Sequence, residues 1–294
     1  MGDQWMQFVA AGLTSGAIYA LVALGFSIVY NASHAINFAQ GEFVMVGGMA
    51  AVSLVGFGLP LWAAVPLAVA LAGVVGMVVE KFAIEPAQRT GRADVVTLII
   101  ITIGVALFLR GLAQVLWDKR VHPLPAFTGA EPIALFGATI LPQSLWVLGG
   151  TALAVLVLGW FFGRTLYGKA MRATAFNPLA AQLMGISTRG VMRVSFLLAA
   201  ALGALGGVLT APITFTSYDV GVMLGLKGFA AAMLGGLGSF GGAVAGGLML
   251  GLLESLGAGF VSSAYKDAIA FVVILGVLFF MPGGLVGARR SERV

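Results

Sequence analysis

The chain is a succession of apolar segments, each close to the length of a membrane span, separated by short interruptions. An α-helix needs about 20 mostly apolar residues to cross the hydrocarbon core of a bilayer. The segments lie at roughly 7 to 30, 43 to 59, 61 to 80, 95 to 117, 143 to 162, 194 to 212, 222 to 237, 242 to 262 and 267 to 281. This pattern predicts an all-α, polytopic helical bundle formed by one membrane domain over residues 1–294. It has about eight or nine membrane elements, some of them broken or re-entrant.

The composition excludes a soluble protein and several kinds of chemistry. Of 294 residues, 60% are hydrophobic and 9% are charged, and the mean hydropathy is +1.04. A soluble domain of this size needs far less apolar surface. The chain has no cysteine and two distant histidines, so we expect neither a disulfide nor a metal site. We also expect that the chain binds no cofactor.

Basic residues predict the orientation. The segment from 163 to 193 contains no acidic residue but carries Arg164, Lys169, Arg172, Arg189 and Arg193. The positive-inside rule places this segment, and the tail with Arg289, Arg290 and Arg293, in the cytoplasm. Because these residues flank spans, we do not expect nucleic-acid binding. The N-terminus then lies outside, provided that segment 43 to 59 crosses the membrane. It carries Asp3 and no early basic residue, which argues against a cleaved signal peptide.

Polar residues interrupt the apolar pattern between Asn31 and Gly48, where the sequence reads NASHAINFAQGEFVMVGG. Polar backbone at membrane depth is stable only when it is buried in protein or lines a wet cavity. Two interpretations remain open, an ordinary cytoplasmic loop and a broken segment on a substrate path. For the second, the candidate residues are Asn37, Phe38, Gln40, Gly41 and Glu42. Glu42 also suits the N-terminal turn of a helix because of the helix dipole.

A short internal repeat pairs the sequence MVGGM, which begins at Met45, with MLGGL, which begins at Met233. The preceding segments 7 to 30 and 194 to 212 are then in register, and an odd number of spans separates the halves. Inverted repeats of this kind are common in transporters, where glycine-interrupted segments mark the substrate path. Gly235 and Gly236 are therefore also candidates for the substrate path. The many Gly-x-x-x-Gly spacings indicate tight packing within one chain rather than a dimer motif.

Three charged residues lie inside predicted spans and need an explanation, because a charge at the bilayer centre costs about 2.5–3.5 kcal/mol on insertion scales. Arg110 and Lys227 lie toward the outer ends of their segments, and we expect that they can extend to the membrane surface. Lys227 is also a candidate for the substrate path. Glu254 lies deeper and either hydrogen-bonds to a neighbouring helix or contributes to a wet pathway. The residue pattern does not decide between these two roles.

A short cytoplasmic helix is indicated between Asn177 and Gly185, where the sequence reads NPLAAQLMG. Asn is a good N-cap, Pro suits the first helical position, and Gly suits the residue just beyond the end. The predicted helix, Pro178 to Met184, is flanked by basic residues. It suits docking into a groove on a soluble partner. The alternative is a connector that lies on the membrane surface.

Two glycine-rich motifs resemble nucleotide-binding sequences but lack features that such sites need. The sequence GRTLYGKA at 163–170 nearly matches the phosphate-binding loop, but Ala170 lacks the hydroxyl that would hold magnesium, and a membrane span precedes it. The sequence GLGSFG at 236–241 matches the dinucleotide fingerprint without the strand-helix-strand setting. We expect no nucleotide at either motif and a tight turn between spans at the second.

Five blocks, in order and over nearly the whole chain, resemble the permease subunits of high-affinity branched-chain amino acid ABC transporters. They are GLTSGAIYALVALGFSIVY (12–30), INFAQGEFVMVGG (36–48), RATAFNPLAAQLMGI (172–186), GLKGFAAAMLGGLGSFGGAVAGGLMLGLLE (225–254) and MPGGLVG (281–287). The resemblance implies a transport subunit of the bacterial inner membrane that is not itself an enzyme. Its implied partners are a second permease or a second copy of this chain, two ATPases that use ATP and Mg, and a periplasmic binding protein.

The resemblance also assigns roles to residues. Segments 36–48 and 225–238 become the candidate translocation path. The implied ATPase-coupling residues are Arg172, Phe176, Asn177, Pro178, Ala180, Ala181, Gly185 and Arg189. In this assignment Ala180 and Ala181 form a small face that allows close approach, while Arg172 and Arg189 contact acidic groups. Ala175 and Phe176 stand where relatives often carry an acidic residue before this helix, and we expect Phe176 to make an apolar contact with the ATPase.

The alternatives to this function are another substrate, a channel or ion-coupled carrier, and an intramembrane hydrolase. Urea, a short amide or another amino acid is the alternative substrate, because related permeases share the same blocks. A channel or ion-coupled carrier would need intramembrane carboxylates for coupling, and only Glu254 is a plausible one. A carrier also has no need of a capped docking helix. An intramembrane hydrolase is not expected, because the spans contain no His, Cys or paired Asp residues.

Overall fold

The computed structural model describes residues 2–90, 94–129, 131–135, 138–260, 262–281 and 283–286. The basic tail lies outside these residues. The chain forms a helical bundle whose helices are α1 (Gly2–Ser33), α2 (Gln40–Gly56), α3 (Leu61–Val79), α4 (Glu85–Arg89), α5 (Val95–Trp117), α6 (Pro142–Arg164), α7 (Leu166–Phe176), α8 (Pro178–Leu183), α9 (Thr188–Thr214), α10 (Val220–Gly235), α11 (Phe240–Phe260) and α12 (Lys266–Phe280). A π-helical turn, Glu80–Ile84, joins α3 to α4, and a 3-10 turn, Ser263–Tyr265, precedes α12.

Six of the described helical stretches are long and apolar enough to cross a membrane. They are Gln4–Ser33, Leu61–Arg89, Val95–Trp117, Pro142–Arg164, Thr188–Thr214 and Phe240–Phe260. Helices α2 and α10 are apolar but shorter. The predicted polytopic bundle is confirmed, while the number of eight or nine membrane elements stays a prediction.

The two ends of the bundle differ in character. One end, called here the basic face, carries α7, α8 and the start of α9, which together hold the predicted basic segment. At the opposite face, strands β1 (Ile133–Leu135) and β2 (Ala138–Ile140) form a short antiparallel hairpin that the sequence did not predict. Gln7 of α1 holds this hairpin by hydrogen bonds of 2.9 and 2.8 Å to the backbone of Thr139. The N-terminal end of α1 therefore lies opposite the basic segment, as expected.

Helix α1 forms the centre of the bundle and packs closely against α11. Glycines on both helices make this approach possible: a Cβ atom on Gly16 would come within 2.8 Å of Leu248 Cα, and one on Gly247 within 2.5 Å of Ala20 Cα. Close backbone approach through small residues is the usual way to pack membrane helices, because lipid provides little hydrophobic driving force between them. The expectation of packing within the chain is confirmed for these Gly-x-x-x-Gly positions.

Two long helices end in the same kind of break. Helix α1 ends before His34 and α9 ends before Phe215, and these residues have positive φ angles of 52° and 61°. After a short irregular stretch, each break leads into one of the two shorter apolar helices, α2 or α10. The N-terminal half of α1 and the C-terminal half of α9 line one cavity, since Thr14 and Thr210 are both in its wall, so the two helices run antiparallel.

The pairs α1–α2 and α9–α10 thus share a long helix, a break and a short helix, and they run in opposite directions, as the predicted inverted repeat requires. The register differs from the one expected from the sequence. The structure pairs the helix starts Gln40 and Val220, whereas the short motifs had paired Met45 with Met233. The five-residue match arose because glycines recur at helix contacts throughout this chain, so glycine spacing alone does not fix the register.

Candidate translocation path and docking surface

Helices α2 and α10 cross inside the bundle at three glycines. A Cβ atom on Gly41 would strike the carbonyl oxygen of Gly221 and come within 3.0 Å of Gly225 Cα. Only glycine lets the two backbones approach this closely. Both helices begin inside the bundle, so the positive ends of their dipoles lie near this crossing. Many transporters form their substrate site from half-helices that start at membrane depth.

An ion pair lies beside this crossing. Glu42 is in the first turn of α2 and only 2% exposed, and its Oε1 accepts a hydrogen bond of 2.5 Å from Arg110 Nη2 on α5. A cavity of about 190 Å³ adjoins the pair. Its wall is mostly apolar and includes Phe26, Phe38, Ile103, Leu107, Leu226 and Phe229. The pair therefore provides both charges at the edge of an otherwise apolar cavity.

Most polar residues of the predicted break hold the backbone in place. Asn37 Oδ1 accepts from the Ala39 amide at 3.1 Å, and Gln40 Nε2 donates to the Ala199 carbonyl oxygen at 2.9 Å. Asn37 and Gln40 are buried. Of the five candidates in this segment, Phe38, Gly41 and Glu42 line the cavity, whereas Asn37 and Gln40 fix the irregular chain before α2. From Ala35 to Gly41 the segment is a buried or half-buried break, so the interpretation as an ordinary cytoplasmic loop was wrong.

A second group of charges lies between α1, α10, α11 and α12. Lys227 Nζ lies 2.8 Å from Glu254 Oε1 and 2.7 Å from Asp267 Oδ1, and it donates to Tyr19 Oη at 3.3 Å. Tyr19 Oη donates to Glu254 Oε2 at 2.8 Å. Lys227 and Glu254 are buried, and both line a cavity of about 400 Å³. Each oxygen of Glu254 thus has a partner, and the cluster ties four helices together.

These two clusters correct the expectation for the charges in spans. Arg110 and Lys227 do not extend to the membrane surface, because each pairs with a buried carboxylate on another helix. No local pattern indicated these pairings, since the partners lie 68 and 27 residues away along the chain. Asp267 was missed as well, because it starts a span where an acidic residue is ordinary. Of the two roles considered for Glu254, hydrogen bonding to neighbouring helices is observed.

Gly235 and Gly236 lie away from both cavities. Gly235 packs against Gly242 at the start of α11, and Gly236, with a φ angle of 99°, begins the turn between the two helices. Asn31 Nδ2 donates to Gly238 O in this turn at 2.8 Å. The tight turn predicted at 236–241 is confirmed. The two glycines were candidates for the substrate path, but here they allow close packing and a tight turn between α10 and α11.

The short helix of the basic face has the predicted caps. Asn177 Oδ1 accepts from the Ala180 amide at 3.0 Å, and Pro178 is the first helical residue. At the other end, Gly185 has a φ angle of 82°, its amide donates to Gln182 O, and the Ile186 amide donates to Ala181 O. These two bonds form a Schellman motif, which ends the helix. Helix α8 spans Pro178–Leu183, and Met184 is its C-cap.

The surface of α8 and the end of α7 is apolar and open. The side chains of Phe176, Leu179, Leu183 and Met184 are 94%, 73%, 89% and 82% exposed. Basic Arg172 and Arg189 are exposed nearby. Contiguous exposed apolar surface with a polar rim marks protein interaction sites. The expected small face is divided, because Ala180 is exposed but Ala181 is buried and faces the rest of the protein. Apolar side chains, rather than the two alanines, dominate the outer side of this helix.

The motif that resembles a phosphate-binding loop has a structural role. Thr165 separates α6 from α7, and its Oγ1 accepts from the Gly168 amide at 3.0 Å. A Cβ atom on Gly168 would come within 2.6 Å of Phe162 Cα. Gly168 therefore allows α7 to fold back against the end of α6, and its amide is occupied by the cap.

One further ion cluster connects the basic face to α3. Arg193, in the second turn of α9, donates from Nε to Glu80 Oε2 at 3.2 Å and from Nη2 to Glu85 Oε2 at 3.3 Å. Glu80 is fully buried and opens the π-helical turn. Such turns are frequent at functional sites. In the sequence, Arg193 was interpreted only as a sign of membrane orientation. Its partner could have been suspected from Glu80, an acidic residue at the end of the apolar segment 61 to 80.

The comparisons with known proteins agree on the family. Residues 8–278 match the family model described as "Branched-chain amino acid transport system / permease component". The high-affinity branched-chain amino acid transport system permease protein LivH of Escherichia coli (strain K12) is 33% identical, with 100% of both chains covered. The corresponding protein BraD of Pseudomonas aeruginosa is 31% identical over 99% of this chain and 98% of its own.

Among solved structures, a chain of PsaBC from Streptococcus pneumoniae in complex with Fab covers 95% of this chain and 90% of its own length, with a TM-score of 0.44 and 17% identity. The sequence matches extend through both broken helices and the capped helix of the basic face. This chain therefore belongs to the family of permease components of branched-chain amino acid transport systems.

Proposed function

We propose that this chain is one of two permease subunits of an ATP-driven importer for leucine, isoleucine and valine in the bacterial inner membrane. The observation that carries the proposal is the full-length similarity to LivH and BraD, at 33% and 31% identity. The basic face is then cytoplasmic, in agreement with the positive-inside rule. The urea or short-amide alternative is not favoured, because LivH and BraD, which match this chain over nearly its whole length, are branched-chain amino acid permeases.

In this proposal the chain does no covalent chemistry, and it works in an assembly. A second permease, or a second copy of this chain, completes the path through the membrane. Two cytoplasmic ATPase subunits bind ATP and Mg, and a periplasmic binding protein delivers the substrate. The apolar outer side of α8 and the end of α7 is the surface that docks on an ATPase. Its four large exposed side chains, including Phe176 and Leu183, support this assignment.

Transport requires that ATP binding on one side of the membrane changes the access of a site within it. A partner can shift such an equilibrium only through different affinities for the two states. Movement of α8 would be passed to α9, which begins at Thr188, five residues after α8 ends at Leu183. Arg193 would extend it to α3 through Glu80 and Glu85. The crossing of α2 and α10 lies further along the same bundle.

The test is uptake of labelled leucine and labelled urea by cells that lack this chain and all other leucine systems. We expect leucine uptake to return on complementation, to require the partner ATPase and to resist an excess of urea. Uptake of urea without leucine would keep the architecture and change the substrate. Uptake that is independent of any ATPase would contradict both the importer assignment and the role of α8.

A further inference from the structure

The ion pair beside the crossing of α2 and α10 does not use its full hydrogen-bonding capacity. Glu42 Oε2 and Arg110 Nε are both buried, and among the described residues neither has a hydrogen-bond partner. Buried polar atoms in proteins nearly always have one, because an unpaired group loses its interaction with water and gains nothing in return. The two residues that carry this free acceptor and this free donor both line the 190 Å³ cavity, while the two atoms themselves are closed to solvent. A ligand would therefore reach them through a movement of the side chains.

These two groups define the chemistry of a ligand that would satisfy them. Glu42 Oε2 requires a donor and favours a cation, whereas Arg110 requires an acceptor and favours an anion. An α-amino acid carries both groups on one carbon, as an ammonium and a carboxylate. A neutral molecule such as urea offers neither charge. An ion pair at the edge of a cavity thus matches a zwitterion in particular.

The rest of the cavity suits an aliphatic side chain. Phe26, Phe38 and Phe229 form an aromatic wall, with Phe229 centred 5.6 Å from Phe26 and 5.9 Å from Phe38. The cavity is smaller than the ~300–1,000 Å³ typical of sites for drug-sized ligands, so it admits only a small metabolite. Gly41, Gly221 and Gly225, where the two backbones cross, complete the wall beside the charges with backbone atoms.

The Lys227 cluster does not offer the same chemistry. Lys227 contacts Glu254, Asp267 and Tyr19, and the second oxygen of Glu254 accepts from Tyr19. Its charges are already matched within the protein. A zwitterion would have to break these contacts to bind, whereas at Glu42 and Arg110 it would add to the existing one.

We propose that Glu42 and Arg110 bind the α-ammonium and α-carboxylate of an amino acid with an aliphatic side chain as it passes through the membrane. The aromatic wall receives the side chain. This inference rests on the proposed importer function and adds to it the residues that recognise the substrate after the binding protein has released it.

The test measures leucine moved per ATP hydrolysed by the complete importer in proteoliposomes, with leucine-loaded binding protein outside. Glu42→Gln keeps the size of the side chain and an acceptor for Arg110 but removes the charge that the ammonium needs. We expect about a tenfold lower ratio, the usual effect of losing a hydrogen bond to a charged group. ATP hydrolysis stimulated by the binding protein is measured in the same vesicles, so that the ratio separates a loss of substrate recognition from a loss of assembly.

The matched control is Trp117→Phe. Trp117 Nε1 donates to Ser53 Oγ at 2.6 Å and is a second link between α5 and α2. If the ion pair only holds these helices together, both variants will lower the ratio to the same extent. An equal effect of the two variants, or an unchanged ratio for Glu42→Gln, overturns the proposal. If Glu42→Gln fails to assemble, Ala106→Leu takes its place in the test, because leucine fills the cavity and keeps both charges. A ratio clearly lower than that of Trp117→Phe then supports the proposal, and an equal or unchanged ratio overturns it. An unmodified importer that moves no leucine would instead reject the proposed function.

Discussion

Lys227 Nζ on α10 lies 2.8 Å from Glu254 Oε1 on α11, in the interior of a protein whose surroundings are largely hydrocarbon. Tyr19 on α1 and Asp267 on α12 complete the cluster. Isolated charges inside a membrane protein are costly, but paired ones are tolerated. The cluster therefore joins α1 to α10, α11 and α12.

Replacing Lys227 with Met should destabilise the protein strongly. The change leaves Glu254 and Asp267 buried or half-buried near each other, with Lys266 Nζ 3.9 Å from Glu254 as the remaining cation. Breaking a buried pair by removing one partner typically costs about 3–5 kcal/mol. Thermal unfolding of the purified protein in detergent measures this effect.

Glu254→Gln is the matched comparison for that substitution. Glutamine keeps an acceptor for Lys227 or Tyr19, and Asp267 still balances the lysine charge, so a smaller loss is expected. A Lys227→Met protein as stable as the unmodified one would show that the cluster is not a structural link.

The crossing of α2 and α10 predicts that Gly41 cannot be replaced. A Cβ atom at Gly41 meets backbone atoms of Gly221 and Gly225, which cannot rotate away as a side chain can. We expect Gly41→Ala to cost at least about 1–3 kcal/mol, as overpacking does in other cores. The melting temperature should fall, and uptake with it.

Gly104→Ala on α5 is the control for this change. A Cβ atom there meets nothing within 4 Å. Alanine is the better helix former by about 1 kcal/mol, so stability should stay the same or rise. Equal melting temperatures for Gly41→Ala and Gly104→Ala would contradict the close crossing.

The sequence predicts local features of this protein better than partnerships across the bundle. The caps of α8 were predicted at Asn177, Pro178 and Gly185, because capping depends on residues close together in sequence. The break before Gln40 was one of two interpretations of a local cluster of polar residues. Each of these signals is carried by fewer than about ten neighbouring positions, the range over which propensity and turn chemistry act.

The ion pairs were not predicted, for the same physical reason. Glu42 and Arg110 are on different helices, and only the packing of α2 against α5 brings them together. Hydropathy marks both as unusual, but it does not say which of several charges in spans meet. Ala181 illustrates the opposite error. Its small side chain suggested a docking face, whereas the rotation of α8 about its axis, set by tertiary contacts, turns it inward.

The outer side of α8 predicts a specific loss of assembly. Leu183 is 89% exposed, so Leu183→Glu should leave folding and membrane insertion unchanged while placing a charge in the apolar docking surface. A hot-spot residue at the centre of an interface is worth about 2 kcal/mol or more, so association with the ATPase should weaken by more than about tenfold if Leu183 is one. Copurification of the ATPase with the tagged permease measures the effect.

Phe57→Glu makes a similar change at the opposite face and serves as the control. Phe57 is exposed in the connection between α2 and α3, away from α8. Its replacement should not alter copurification of the ATPase. Full ATPase recovery with Leu183→Glu would exclude this side of α8 as the docking surface.

The contacts of Arg193 predict that a double substitution is milder than a single one. Arg193→Gln leaves the fully buried Glu80 without its cation, and we expect a loss of about 1–3 kcal/mol. The loss should fall short of that for a fully buried pair, because 42% of the Arg193 side chain is exposed. Adding Glu80→Gln removes the uncompensated charge, so the double variant should recover part of the melting temperature. A double variant that is no more stable than Arg193→Gln alone would show that Glu80 does not depend on this arginine.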